Sequence, residues 1–592
     1  MCGIAATFCY GEGQVDRDAL LRARDCMRAR GPDASGYWER DDQRVALAHR
    51  RLSIIDLSER GAQPMADEKR GLRVVYNGEI YNYRPLREEL RSKGYEFQSD
   101  TDTEVLLYLY AEHGRDLTER LRGMYAFALY DEQERGLLMA RDPYGIKPLY
   151  YADDGSALHV ASQVQALREH ESTDTTANPA GHVGFFLWGH VPEPHTLYRG
   201  IQALPAGHTC WISEAGGVEE PRPFETIPGA LRRVEANANG RSPQTALRDA
   251  LLDSVEHHLI ADVDVGLFLS AGLDSATLTA LAAEVHDRVK TVTLGFEEFR
   301  DTPEDEAPGA ERIAERYDTN HETVWVTQQD FAAAHDDLLG AMDQPTIDGV
   351  NSYFVSRAAR KAGLKVALSG LGGDELFGGY PSFSQIPRLV STVGALPGAA
   401  TIGKGFRAVA APIIERFTSP KYAGLLEYSD DYAGAYLLRR GLYMPWELPE
   451  MLDPDLVRAG WEQLQPMARL RETIDDISDE HLRVTALESS WYMRNQLLRD
   501  TDWASMAHSL EVRTPLVDRT LLGRIAPLIA RHGLSKQDMA RTPKQPLPDD
   551  LLNRPKSGFT VPVRKWLLAD RPEYESARGL RGWAQYIYNR HT

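Results

Sequence analysis

The stretch Leu267–Leu281, LFLSAGLDSATLTAL, passes from an apolar run through a short polar loop into a helical pattern. Leu267–Leu269 read as the end of a buried strand, and Ser275–Asp287, SATLTALAAEVHD, reads as a helix. Between them lie Ser270, Ala271, Gly272, Leu273 and Asp274. The backbone N–H groups of such a loop, with a helix N-terminus behind them, cradle an anion. No lysine follows in the G-x-x-x-x-G-K-[ST] spacing, so the loop is not one for γ-phosphate transfer.

Working outward, the pattern on either side decides the fold class. Upstream, ALRDALLDSVEHHL sets Leu247, Leu251, Val255 and Leu259 on one helical face. Downstream, KTVTLGF and TVWVT read as further buried strands with a helical segment between them. Strand and helix alternation of this kind predicts an α/β doubly wound parallel sheet, and beyond about residue 385 the chain reads as helical. Within this part, Lys365–Pro381, KVALSGLGGDELFGGYP, is a second strand that breaks into glycines around two acids, Asp374 and Glu375. Asp274 and Asp374 then end two strands of one sheet, where open α/β folds bind ligands. Their hard oxygens suit Mg²⁺ on the phosphates of a nucleotide.

The first 165 residues have a different character. Short strand-like segments such as RVALAHRRLSII, RVVYNGEIYN and YAFALYD alternate with the helical YRPLREELRSKG and DTEVLLYLYAEHG, which predicts a layered α+β domain. Residues 166–241, rich in Pro, Gly, Ala, Asn and Thr with short strand-like pieces such as HTCWIS, read as a tether packed on that domain, and 242–592 as the second functional unit.

Bulk properties narrow the class further. A chain of 592 residues exceeds one core and fits two or three domains. A net charge of −20 disfavours a nucleic-acid partner, which would need a basic surface. No apolar run reaches the roughly 20 residues of a membrane span, and no signal peptide is legible, so no membrane partner is expected. Four cysteines without a CxxC pair make neither a disulfide framework nor a zinc site, and the cytoplasm is the expected compartment.

The chain begins MCGIAATF. Removal of Met1 leaves Cys2 with a thiol and a free α-amine on one skeleton, and an amine of ordinary pKa about 7.7–8.0 serves as a base for its own thiol. The dipeptide alone would be incidental. Four motifs follow it in order, however: RGPDASG from Arg30, HRRLSIID from His49, NGEIYN from Asn77 and SDTDTEV from Ser99. They offer arginine for a carboxylate, acids for an ammonium, and Asn77 with the Gly78 N–H as an oxyanion hole.

These residues resemble the class II, N-terminal nucleophile (Ntn) glutamine amidotransferases, and RDPYGIKPLYY from Arg141 resembles the end of that domain. The resemblance implies that Cys2 attacks the glutamine amide, assisted by Asn77 and Gly78. It also implies that Arg51, Ile55, Asn77, Gly78, Glu79 and Asp102 bind glutamine. The loop at Ser270 is similar to the SGGxDS loop of ATP pyrophosphatases, with Ala271 in place of one glycine. With SMAHSLEVRTPLVD from Ser505 and RPKSGFTVPVRKWL from Arg554, residues 1 to about 570 resemble glutamine-hydrolysing asparagine synthetases. That implies ATP and Mg²⁺ as cofactors and glutamine and a carboxylic acid as substrates. ATP would contact Leu269, Ser270, Gly272, Asp274, Ser275, Leu294, Ser369 and Gly370, Mg²⁺ would meet Asp274 and Asp374, and Lys556 would stand at the adenylation centre. The oligomeric state stays open, with a homodimer among the options.

Two positions depart from that pattern. Leu371 occupies the turn where asparagine-forming relatives commonly carry glutamate, and Trp503 stands where relatives often carry a basic residue. Leucine neither accepts a proton nor orients ammonia. Relatives of this architecture activate other acids, among them β-lactam synthetases, lasso-peptide cyclases and amidases of glycans or secondary metabolites. The acceptor is therefore aspartate or another acid, with the apolar turn favouring the latter. A glutaminase coupled to sugar amination fits the Ser270 loop poorly. A degenerate binding paralogue has only Leu371 and Trp503 in its favour.

Overall fold

In the computed structural model the described residues are 2–234, 242–396, 398–414, 419–553, 566, 571–575 and 578–592. The N-terminal part is two stacked antiparallel sheets. In the first, strands run in the order Ile201–Ala203, Tyr150–Asp153, Ala157–Ala161, Gly3–Cys9, Val45–Arg51 and Ala34–Glu39. In the second, the order is Gly217–Val218, His208–Ser213, Gly136–Arg141, Gly123–Asp131, Leu72–Ile80 and Met65–Asp67.

Side-chain alternation explains the layering. Ile4, Ala6 and Phe8 point with Val45 and Leu47 into the space between the sheets, where they meet Val75, Ala126 and Ala128. Ala5 and Cys9 point the other way, onto Leu20 and Ala23 of the helix Arg17–Cys26 and Met27 just beyond it. The helices Tyr83–Ser92 and Glu104–His113 cover the second sheet through Leu86, Leu90, Val105 and Leu109. The result is the helix–sheet–sheet–helix Ntn architecture.

The stretch 166–241 does more than tether. Ile201–Ala203 hydrogen-bonds to Tyr150–Asp153, and His208–Ser213 to Gly136–Arg141, so it supplies a strand to each sheet. His208–Ser213 is the strand-like piece HTCWIS, whereas Ile201–Ala203 spans only three residues and carries no period in the sequence. The helix Pro179–Trp188 packs instead on Pro454–Leu464 of the second unit, where a Cβ on Gly460 would stand 2.3 Å from the Pro179 carbonyl oxygen.

The second unit is built on five parallel strands in the order Asn320–Val326, Lys290–Phe296, Val265–Phe268, Val366–Leu368, Glu511–Arg513. Chain order runs outward one way from Val265–Phe268 and then outward the other way, so the two middle strands flank the switch point of the sheet. Helix Pro243–His258 packs below it through Leu247, Leu251 and Val255. Among the described residues beyond 382 the regular structure is helical apart from the strand Glu511–Arg513. A π-helical segment, Glu488–Leu498, feeds directly into the helix Arg499–Met506. Among the described residues no helix is long and apolar enough to cross a membrane.

Candidate active site

The first half-site lies at the start of Gly3–Cys9. Cys2 is buried, and its backbone N–H donates to Asn77 Oδ1 at 2.9 Å. The register pairs Gly3 with Arg50, which leaves Cys2 beside Arg51 at the strand end. Burial pushes the Cys2 thiol above its ordinary value; the N-terminal ammonium, the Leu52 backbone and Arg51 pull the other way. Asn77 and Gly78 follow in Leu72–Ile80, and a Cβ at Gly78 would sit 2.1 Å from the Met124 carbonyl oxygen. Only glycine lets the two strands approach there.

The residues expected to hold glutamine divide in their present contacts. Arg51 donates to the carbonyls of Ser58 (2.7 Å), Ile55 (3.5 Å) and Asp56, fixing the loop that carries buried Ile55. Asp102 accepts from the Ile80 N–H and the Tyr76 hydroxyl, each at 2.9 Å. Burial raises its pKa against the pull of those donors. Glu79 faces across the domain boundary, 3.3 Å from Arg513, and burial raises its pKa as well.

The second half-site occupies the switch point. A cavity of about 360 Å³ is walled by Leu269, Ser270, Gly272, Asp274 and Ser275 of the first loop and by Leu294 of the neighbouring strand. Ser369, Gly370, Leu371, Asp374 and Glu375 of the second loop close it. Ser275 Oγ receives the Ser270 N–H at 3.1 Å and lies 2.9 Å from Ser270 Oγ, which folds the first loop over the N-terminus of Leu273–Val285. The two loops touch: a Cβ on Gly373 would stand 2.5 Å from Asp274 Cγ. Gly372, at φ +99°, turns the chain in a conformation that L side chains rarely adopt. That is why glycines surround the acids.

Lys536, which carries no local sequence signal, bridges those acids. Its Nζ lies 2.6 Å from Asp274 Oδ2 and is also paired with Asp374. Burial opposes its charge, but the two carboxylates outweigh burial and hold its pKa above the ordinary lysine value. Two carboxylates converging on one cation are a donor set that fits Mg²⁺.

The far wall of the cavity was not legible in the sequence. It is made by Asp348, Asn351, Ser352, Tyr380, Leu497, Asp500 and Thr501. Tyr380 donates to Glu375 at 2.8 Å, and Thr346 and Trp503 donate to Asp500 at 2.7 and 3.0 Å. Burial lifts Glu375 and Asp500 to about 7 each. Trp503, an apparent oddity in the sequence, thus anchors an acid of this wall. Leu371 is half-buried against the core, and Lys556 lies outside the described residues.

Buried charges join the half-sites. Arg30 Nε donates to the Cys2 carbonyl at 3.2 Å, while Nη1 and Nη2 meet Asp502 at 2.7 and 3.2 Å. Arg513 pairs with Glu511 at 2.6 Å as well as with Glu79, and Arg122 with Asp518 at 2.9 Å.

An Ntn domain with a cysteine at its first strand, joined to a nucleotide-type cavity at a parallel-sheet switch point, defines a two-site glutamine amidotransferase coupled to an ATP-using synthetase. Comparison with known proteins agrees in both halves. Residues 1–224 match the glutamine amidotransferase domain family, and residues 246–581 match the asparagine synthase family. The chain is 30% identical to asparagine synthetase [glutamine-hydrolyzing] 1 of Bacillus subtilis, over 97% of this chain and 89% of that one. It is 33% identical to asparagine synthetase B [glutamine-hydrolyzing] of Escherichia coli over 65% of this chain and 66% of that one. A fungal relative, amidase chry2 of Gibberella zeae, is 28% identical over 65% of this chain and 60% of its own. The chain belongs to the glutamine-hydrolysing asparagine synthetase family.

Proposed function

We propose that this enzyme transfers glutamine nitrogen to an acceptor carboxylic acid shaped to the Leu371 turn, cleaving ATP to AMP and pyrophosphate. The observation that carries this reading is the two-loop cavity at the switch point, with Leu371 and the acids Asp348, Glu375 and Asp500 in its wall.

In the first site the Cys2 thiolate attacks the amide carbon of glutamine. Asn77 and the Gly78 N–H steady the tetrahedral oxyanion, and the departing nitrogen takes a proton and leaves as ammonia. Water hydrolyses the thioester to glutamate. Arg51 and Asp102 serve the carboxylate and the ammonium of glutamine. In the second site an oxygen of the acceptor carboxylate attacks the α-phosphorus of ATP, the bond to the β-phosphate oxygen breaks, and pyrophosphate departs. Ammonia attacks the acyl carbon, loses a proton, and releases AMP and the amide. Adenylation is needed because a free carboxylate is a poor acyl donor. The loop at Ser270 and the helix behind it hold phosphate oxygens, with Leu269, Leu294, Ser369 and Gly370 around the nucleotide. Asp274 and Asp374 would hold Mg²⁺, which supplies charge neutralisation on the leaving pyrophosphate. Lys536 keeps the two carboxylates together before that cation arrives, and Lys556 stabilises charge at the adenylation centre.

The test is AMP and pyrophosphate release with glutamine across a panel of acids that includes aspartate. Turnover on another acid with aspartate inert supports the reading; efficient asparagine formation would make Leu371 a tolerated replacement. Cys2→Ala should abolish glutamine-dependent turnover and leave ammonia-dependent turnover intact. Loss of both would contradict two separate sites.

A further inference from the structure

Large apolar side chains are exposed at few described positions, and these are not scattered. Leu57, Val285 and Leu580 stand alone, whereas Leu396, Ile402, Phe406, Val409 and Tyr422 fall within one stretch of 27 residues. Three of them follow the i, i+4, i+7 spacing on the helix Ala399–Ile414, with Ile402 64% and Val409 74% exposed. Single exposed apolar residues are ordinary; a contiguous group marks an interaction surface.

The charge of the same stretch is opposite to that of the chain. Residues 382–414 carry Arg388, Lys404 and Arg407 and no acid, in a protein of net charge −20. Arg388 and Lys404 are exposed. Arg407 is held by Glu427 at 2.6 Å and lies over Trp446, which fixes the helix to the body of the protein. Its inner side is pressed close: a Cβ on Gly403 would stand 2.4 Å from the Glu427 backbone nitrogen. Apolar residues beside exposed cations on a surface helix are the pattern that binds an anionic bilayer surface. A twofold contact between copies would gather two sets of these cations on one interface with no acid between residues 382 and 414 to offset them. The surface also adjoins the synthetase site, since the helix Ser382–Val393 begins two residues after Tyr380 in the cavity wall.

We infer that the helical pair Ser382–Val393 and Ala399–Ile414 is a peripheral membrane-docking surface that takes anionic phospholipid. This is a different property from a membrane span, and it does not depend on the acceptor's identity.

The experiment is vesicle co-sedimentation of the full chain with phosphatidylglycerol–phosphatidylethanolamine vesicles and with phosphatidylcholine vesicles. Saturable binding to the anionic vesicles alone, weakened by salt, is expected. Ile402→Ser, Phe406→Ser and Val409→Ser together should weaken it by about tenfold or more, and Arg388→Glu with Lys404→Glu similarly. These exposed residues touch neither half-site, so glutaminase activity of each variant reports that it is folded. Absence of binding to the anionic vesicles overturns the inference, as does binding unchanged in both variants. A concentration-dependent dimer of the wild type that the triple variant loses would assign the surface to a second copy and overturn it too.

Discussion

The Nζ of Lys536 stands 2.6 Å from Oδ2 of Asp274 and ties it to Asp374, so one lysine from residue 536 holds together two loops that are 100 positions apart in the chain. Lys536→Met leaves two neighbouring carboxylates without that cation. Pyrophosphate release should fall by about ten- to a hundredfold, as for loss of a partner that orients metal ligands, while glutaminase activity stays within about twofold. Separate assays of the two half-reactions decide it, and equal loss in both would place Lys536 outside the synthetase site.

Arg30 and Asp502 form a bidentate pair across the domain boundary, 2% and 4% exposed respectively. Removing one partner strands the other charge in the interior, which costs about 3–5 kcal/mol. Arg30→Met should therefore lower the melting temperature and reduce the amide formed per glutamine consumed. Ammonia added directly should restore the synthetase rate. If the ratio of amide to glutamate is unchanged, Arg30 does not couple the sites.

Asp500 is buried with its pKa lifted to about 7 in the folded protein, above the ordinary value of about 3.9 for an unfolded chain. Between about pH 4 and 7 the folded state binds the extra proton, so stability falls as pH rises through this window. Asp500→Asn keeps Oδ1 as the acceptor for Trp503, turns the other atom into a donor that the Thr346 hydroxyl can accept, and removes the charge. The variant should melt higher than wild type above pH 7, with the difference vanishing near pH 4. A constant difference at all pH values would show that Asp500 does not titrate there.

Leu371→Glu adds a sixth acid to Asp274, Asp348, Asp374, Glu375 and Asp500 in the cavity wall. Turnover of the preferred acid should drop by about tenfold or more, since an unpaired charge in a partly buried site is costly. Glutaminase activity should persist. An unchanged acceptor profile would remove Leu371 from the specificity determinants.

The contrast between local and distant information runs through the molecule. The strand at Val265–Phe268, its loop and its helix were legible because an apolar run, a Ser-Gly turn and a helical period follow one another between Val265 and Val285. The same holds for Cys2, Asn77 and Gly78, each set in a short motif whose backbone requirement glycine or strand ending announces. The alternation of strands and helices likewise determined the parallel sheet.

What the tertiary structure decided is everything that depends on chain segments meeting. Lys536 is one residue in a short capped helix, and nothing around it signals a partner 262 positions away. Asp348 and Asp500 belong to no local motif, and folding encloses them in one cavity wall. Ile201–Ala203 is too short to show a period, and although HTCWIS reads as strand-like, only hydrogen bonds from neighbouring strands assign it and Ile201–Ala203 to their sheets. Backbone propensity and side-chain period are properties of consecutive residues, whereas burial and ion pairing are set by what packs alongside. The sequence by itself thus determined the two chemistries, and the fold decided how they are walled, bridged and joined.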